Sequence, residues 1–246
     1  MNILITGASS QLADAIADEL GEDHSLRLMD NVPLDRKGNF EVIQGSILDA
    51  DDSARAVHEM DVLIHTGEPP SELPEDALER EQTILDLATR GTHVIFTAGV
   101  NAGIKKFIYA STLAIFHEYP EDIYISELWK PLPSPETVEM TKYLGELTCR
   151  EFARANRVTV TALRLGELVR AEAVQGAMPN ASWLDIRDAA QAFRCALSRD
   201  SSEQLAWQQR WDFYHICADI PNPRFLIDKA CGIGYQPTHN FEAYYQ

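Results

Sequence analysis

The 246-residue chain is expected to fold as an α/β protein, a doubly wound parallel sheet with a small C-terminal lobe. Three observations predict this. Short apolar runs alternate repeatedly with segments of helical periodicity, a pattern that implies parallel strands joined by right-handed crossovers. The run FIYA, flanked by lysine and serine, has no polar alternation, as in a strand covered on both faces. The first apolar run ends at a glycine that opens directly into a helical pattern.

The elements follow in order. Asn2–Thr6 is a strand ending at Gly7, after which Leu12, Ala15, Ile16 and Leu20 recur at helical spacing before Gly21. Strands 25–29 and 40–44 end at Asp30 and Gly45, a helix over 50–59 leads to strand 61–65, and 68–74 is a Pro-rich loop. Residues 75–101 carry one long helical pattern, and 106–110 form the fifth strand. The stretch 115–135, with Pro120, Pro131, Pro133 and Pro135, is loop, followed by a helix over 136–156 and a strand over 158–163. Beyond Arg164 only a helix over 186–198 and a strand over 212–216 stand out.

Composition excludes several partners. Lys+Arg 21 against Asp+Glu 38 gives a formal charge of −17, which repels nucleic-acid backbones and anionic membranes, so neither is an expected partner. Cys149, Cys195, Cys217 and Cys231 show no metal-ligand spacing and read as free, mostly buried thiols in a reducing compartment. No metal site is expected. No apolar run approaches the roughly 20 residues needed to cross a bilayer, no leader pattern precedes the first strand, and a cytoplasmic protein is expected.

The first strand-to-helix turn reads Thr6-Gly7-Ala8-Ser9-Ser10-Gln11-Leu12-Ala13. In a doubly wound sheet this turn and its helix N-terminus receive a dinucleotide pyrophosphate. Asp30 ends the second strand, where a carboxylate accepts both ribose hydroxyls and repels a 2′-phosphate, favouring NAD over NADP. The competing reading is that Asp30 merely begins a turn with Asn31 and Pro33. On this basis residues 1–163 form a Rossmann domain, and 164–246 a small substrate lobe interleaved with the end of the sheet.

These and later stretches together resemble the extended short-chain dehydrogenases, the NAD-dependent epimerase/dehydratase family. They are ITGASSQLA, LMD at 28–30, GSILD at 45–49, DVLIHTG at 61–67, GIKKFIYAST at 103–112, EMTKYLGE at 139–146 and WLDIRDAAQAF at 183–193. Ser10 and Ala13 replace the second and third glycines of the family's TGxxGxxG turn. HTGEPP and the C-terminal GIGYQPTHNFEAYY further resemble uronate dehydrogenases and related small sugar-modifying members.

The resemblance implies NAD contacts from Gly7, Ser9, Ser10, Gln11, Leu12, Asp30, Ser46, Ile47, His65, Thr66, Gly67 and Lys142. It implies a sugar-like substrate, a homodimer paired partly through 136–156, and catalytic roles for Thr112 and Lys142. Thr112 would orient the substrate oxygen, with Glu167 and Arg170 as further substrate contacts. Lys142 would hold the ribose; the alternative is an ordinary solvated helix lysine. His65 reads as a wall of the cleft rather than a base. Arg164 or Arg170 is placed to neutralise a substrate anion, or else makes a structural pair. Trp183, Trp207 and Trp211 read as filling for the small lobe, with sugar stacking as the alternative.

Two family positions are lost. The proton-accepting tyrosine of YxxxK falls on Val138, four residues before Lys142, and the assisting asparagine falls on Ala88 in ATRGT. Tyr143 points about 100° away around the helix and is a poor substitute; Tyr119, Tyr124 or His117, in the loop after the fifth strand, are the other candidates. Whether the chain is an enzyme is therefore open at this point. The readings are an oxidoreductase or epimerase on a sugar or sugar acid, a non-catalytic NAD(H)- or ligand-binding sensor, or a scaffold that binds no nucleotide.

Overall fold

The computed structural model describes residues 1–36, 38, 40–69, 73–135 and 137–244. The expected start of the long helix at 136 and part of the 68–74 loop lie outside the described residues.

Seven strands form one sheet: β1 (Asn2–Thr6), β2 (Ser25–Asp30), β3 (Phe40–Gln44), β4 (Val62–His65), β5 (Lys106–Thr112), β6 (Thr159–Leu165) and β9 (Trp211–Ile216). Their order is β3-β2-β1-β4-β5-β6-β9, every pair parallel. The winding direction reverses between β1 and β4, and the crevice outside the carboxyl ends of strands at such a reversal is where ligands bind in this architecture.

Alternation along the strands builds two cores. Ile3, Ile5, Ile108 and Leu163 face α1 (Gln11–Leu20) and α6 (Ile186–Leu197). Leu4, Leu63, Phe107 and Val160 face α2 (Ala50–Val57), α4 (Thr92–Asn101) and α5 (Thr137–Ala155). A smaller cluster of Trp183, Ala218, Ile220 and Phe241 lies beside a two-stranded ribbon of β7 (Glu167–Val169) and β8 (Trp183–Asp185).

The helical pattern over 75–101 is three elements: α3 (Ala77–Asp86), a π-helical turn Leu87–Gly91, and α4. Gly91 lets the turn pack closely on Ile47, whose Cδ1 would have to shift from a Cβ placed 2.7 Å away. Strands β5 and β6 each run two residues past the expected ends, to Thr112 and Leu165. The loop over 115–135 begins inside a 3-10 turn, Leu113–Phe116. The ribbon and the short helices α7 (Trp207–Arg210) and α8 (Asp228–Cys231) escape sequence periodicity because each is a single turn or three residues long.

All four cysteines are free. Cys149 and Cys217 are buried, Cys195 is half-buried, and Cys231 is exposed, so "mostly buried" holds for only part of the set. Among the described residues no helix is long and apolar enough to cross a membrane, and no cluster of His, Cys, Asp or Glu has the geometry of a metal site.

Candidate active site

The turn after β1 is built around Gly7. Its φ of +71° is in the left-handed region, and a Cβ would lie 2.3 Å from Thr66 Oγ1, whose hydroxyl donates to the Thr6 carbonyl at 2.9 Å. Ser10, which replaces the second family glycine, does not enter the cleft as an obstruction. It is the N-cap of α1: its Oγ donates to the Gly7 carbonyl at 2.8 Å and accepts from the Ala13 amide at 3.2 Å. The Gln11 and Leu12 amides, at the start of the helix, have no intrahelical acceptor and are available to an anion. The Leu12 side chain itself belongs to the core, and Gln11 is exposed.

Asp30 is buried at the end of β2, where Oδ2 accepts from the Ser9 amide at 2.9 Å and Oδ1 from the Val32 amide at 3.3 Å. The carboxylate thus starts the turn that one sequence reading expected and also ties β2 to the glycine loop at the cleft. Gly7, Ser9, Ser10, Asp30, Ser46, Ile47, His65 and Gly67 line one cleft at the strand ends. The sequence reading missed Asn31, Glu68 and Leu87 on the same walls.

His65 is a wall. It is fully enclosed, with Nδ1 against Thr6 Oγ1 at 2.7 Å and Nε2 against Thr92 Oγ1 at 3.1 Å. Burial, helped by the Lys142 charge, lowers its pKa to about 3, so the ring is neutral and both nitrogens are committed.

Lys142 projects from α5 between the ends of β4 and β5. Its Nζ donates to the Thr66 carbonyl at 2.8 Å, the Ala110 carbonyl at 3.3 Å and Glu68 Oε1 at 2.8 Å. It is buried, not a solvated helix lysine. The close passage of α5 over β5 depends on Gly145, where a Cβ would sit 2.1 Å from the Tyr109 hydroxyl.

Thr112 ends β5 and lines a second cleft, with Ala114, His117, Glu121, Glu167, Asn180, Ser182 and Arg224. Its Oγ1 caps the 3-10 turn by accepting from the Ala114 amide at 3.1 Å. Glu167 accepts from Asn180 Nδ2 at 2.6 Å on the opposite wall. Arg170 stands elsewhere, exposed in a groove with Gln11, Asp14 and Asp18 of α1. Arg164 is a buried structural partner. Its guanidinium pairs with Glu146 at 2.6 Å and lies 4.0 Å over the Phe213 ring. The arginine that does reach the second cleft is Arg224, which donates to the Tyr119 carbonyl at 2.8 Å. It sits in a stretch without periodicity, and no sequence signal marks it.

Val138, in the first turn of α5, is 61% exposed, and Ala88 sits half-buried in the π turn, so neither supplies a proton-transfer group. Tyr143 packs against the core; the Tyr119 hydroxyl donates to the Lys130 carbonyl at 3.0 Å, and Tyr124 is exposed away from both sets of lining residues. Trp183 packs against Phe241 and Tyr244, Trp211 against Phe213, and Trp207 against the second core, so all three fill space.

Residues 3–181 match the profile of the NAD dependent epimerase/dehydratase family. The NAD-dependent glucose-6-phosphate dehydrogenase of Haloferax volcanii is 26% identical over 97% of this chain and 93% of its own length. Among solved structures, the uronate dehydrogenase from Agrobacterium tumefaciens superposes with a TM-score of 0.77 at 19% identity, over 99% of this chain and 86% of that one. The UDP-glucose 4-epimerase from Thermotoga maritima superposes with a TM-score of 0.76 at 17% identity, over 100% and 98%. The match across most of the chain, on the same strand order and turn that the residues build, shows that it belongs to the NAD-dependent epimerase/dehydratase family.

Proposed function

We propose that the chain is an NAD-dependent dehydrogenase that oxidises a hydroxyl of a sugar or sugar acid. The observation that carries this is the placement of Lys142. Its Nζ contacts the backbone at the ends of β4 and β5 and pairs with Glu68 of the glycine-turn cleft, and the Ala110 carbonyl it meets is two residues before Thr112 of the second cleft.

The residues present fit a dinucleotide. Gly7 gives the tight left-handed turn against Thr66 that opens the α1 N-terminus to the cleft, the Gln11 and Leu12 amides face a pyrophosphate, and Asp30 meets an adenosine ribose with a charge that opposes a 2′-phosphate. Ser46 and Ile47 flank the base, and Lys142 with Gly67 meets the second ribose. When bound, the nicotinamide supplies the hydride acceptor. Thr112 positions the substrate hydroxyl, and Arg224 places a guanidinium where an acidic substituent is accommodated. The two curated and structural likenesses to sugar and uronate dehydrogenases support the substrate class. A homodimer paired through α5 and through α3, which leaves Leu78 and Leu85 exposed, is part of this reading.

Val138 at the family's tyrosine position favours a second reading, a module that senses NAD(H) without chemistry. One set of measurements separates the two. Calorimetric titration of NAD, NADH and NADP is paired with NADH formation on glucose, glucose 6-phosphate, arabinose, glucuronate and galacturonate, and with light scattering for mass. Micromolar NAD binding with turnover of at least one sugar is expected. NAD binding without any turnover supports the sensor, and the absence of nucleotide binding refutes both.

A further inference from the structure

With Val138 unable to move a proton, the reaction proposed above needs another acceptor, and the geometry points to a His117–Glu139 dyad as that acid/base pair. This inference rests on the dehydrogenase reading. Of the candidates in the loop after β5, His117 alone lines the second cleft together with Thr112.

His117 Nδ1 lies 2.9 Å from Glu139 Oε1. A carboxylate only accepts, so Nδ1 carries the hydrogen, and the Nε2 lone pair is left for the cleft side. Among the described residues Nε2 has no hydrogen-bond partner. Glu139 is itself fixed: Oε2 accepts from the Ser134 amide at 3.1 Å and Ser134 Oγ at 2.9 Å, and its side chain is 14% exposed against 52% for His117. A half-buried, doubly anchored carboxylate orienting a more exposed imidazole is an arrangement for proton transfer. It fixes the ring and stabilises the imidazolium that forms.

The dyad also falls in the right place. Glu139 follows the vacant Val138 position directly and is three residues before Lys142, so it shares the Lys142 side of α5. His117 ends the 3-10 turn that Thr112 caps, its amide donating to the Ala114 carbonyl at 3.0 Å. The proton acceptor has therefore moved from the helix to the loop it faces, while the helix keeps the residue that orients it. In the oxidation, the substrate O–H and C–H bonds break as the C=O double bond forms. The hydride, with its electron pair, leaves to the nicotinamide acceptor, and the proton goes to His117 Nε2. His117 is thus the catalytic residue and Glu139 a positioning residue.

The test uses the full-length protein and the sugar turned over best in the panel above. His117→Ala is expected to lower kcat at least about 100-fold, to leave NAD affinity by calorimetry unchanged, and to regain at least tenfold with added imidazole. Glu139→Gln is expected to lower kcat with KM unchanged, and Glu139→Asp to recover part of it. His117→Ala with kcat within threefold of wild type overturns the dyad. So does a loss that imidazole does not restore, because a loop anchor alone would behave that way. A wild type that binds NAD and turns over no sugar overturns the dehydrogenase reading, and the dyad's role falls with it.

Discussion

Lowering the pH from 7 to 5.5 should remove about 2–3 kcal/mol of stability through two buried histidines. His65 is clamped between the Thr6 and Thr92 hydroxyls, and His215 lies between the Phe116 and Phe225 rings with Arg164 and Lys229 nearby. Burial first, and nearby cations second, Lys142 for His65 and Arg164 with Lys229 for His215, hold each imidazole at about 3, against 6.5 in the unfolded chain. The unfolded state therefore binds two protons that the folded state refuses. Stability is fully present above pH 6.5 and falls towards pH 3 at about 1.4 kcal/mol per unit per histidine. Between pH 7 and 5.5 each group contributes a loss of about 1.2 kcal/mol. Carboxylates do not obscure this window. At Asp185, burial pushes the pKa up but the Arg187 guanidinium and backbone amides outweigh it, leaving about 2, so that group acts only below roughly pH 4. Urea unfolding at the two pH values, for wild type, His215→Leu and the His65→Gln/His215→Leu pair, measures the effect. His215→Leu should halve the pH dependence. The same pH dependence in the double variant as in wild type would refute the assignment.

Gly7→Ala should cost about 2–4 kcal/mol, from a left-handed φ and from the Thr66 hydroxyl it displaces, and should weaken NAD binding more than tenfold; differential scanning and calorimetry read the two effects. Glu146→Gln should cost about 3–5 kcal/mol by leaving the Arg164 guanidinium buried without its carboxylate, and adding Arg164→Met should return much of that loss in urea unfolding.

What the sequence disclosed follows the range of each signal. The sheet, α1 and α6 were legible because their apolar faces repeat within ten residues or so. The glycine-turn cleft was legible because its residues sit at strand ends, positions the period itself marks. The second cleft was not. Arg224 joins Thr112 in the cleft lining from over a hundred residues away through a stretch with no period, and the Glu139 carboxylate meets His117 across a Pro-rich loop. Ser10 shows a different limit: by type it reads as a side chain in the phosphate path, and only its rotamer, turned back onto Gly7 and Ala13, shows a helix cap instead. Likewise Arg164 and Arg170 are equal as sequence, but one is closed into an ion pair and the other faces a separate groove.

Glu68 places a constraint on the site. An ammonium has three N–H donors, and those of Lys142 already meet the Thr66 and Ala110 carbonyls and the Glu68 carboxylate. The two carbonyls lie just past β4 and within β5, backbone held by the central strands of the sheet, whereas Glu68 lies on a loop. A ribose hydroxyl approaching Lys142 must therefore displace Glu68 or donate to it. Because a hydroxyl both donates and accepts, it can do either, whereas an anion can only accept and has to displace the Glu68 carboxylate against its charge. For the function proposed above, the Glu68 carboxylate beside Lys142 therefore disfavours a phosphate there and favours a neutral hydroxyl, leaving the α1 amides as the place for a charged centre.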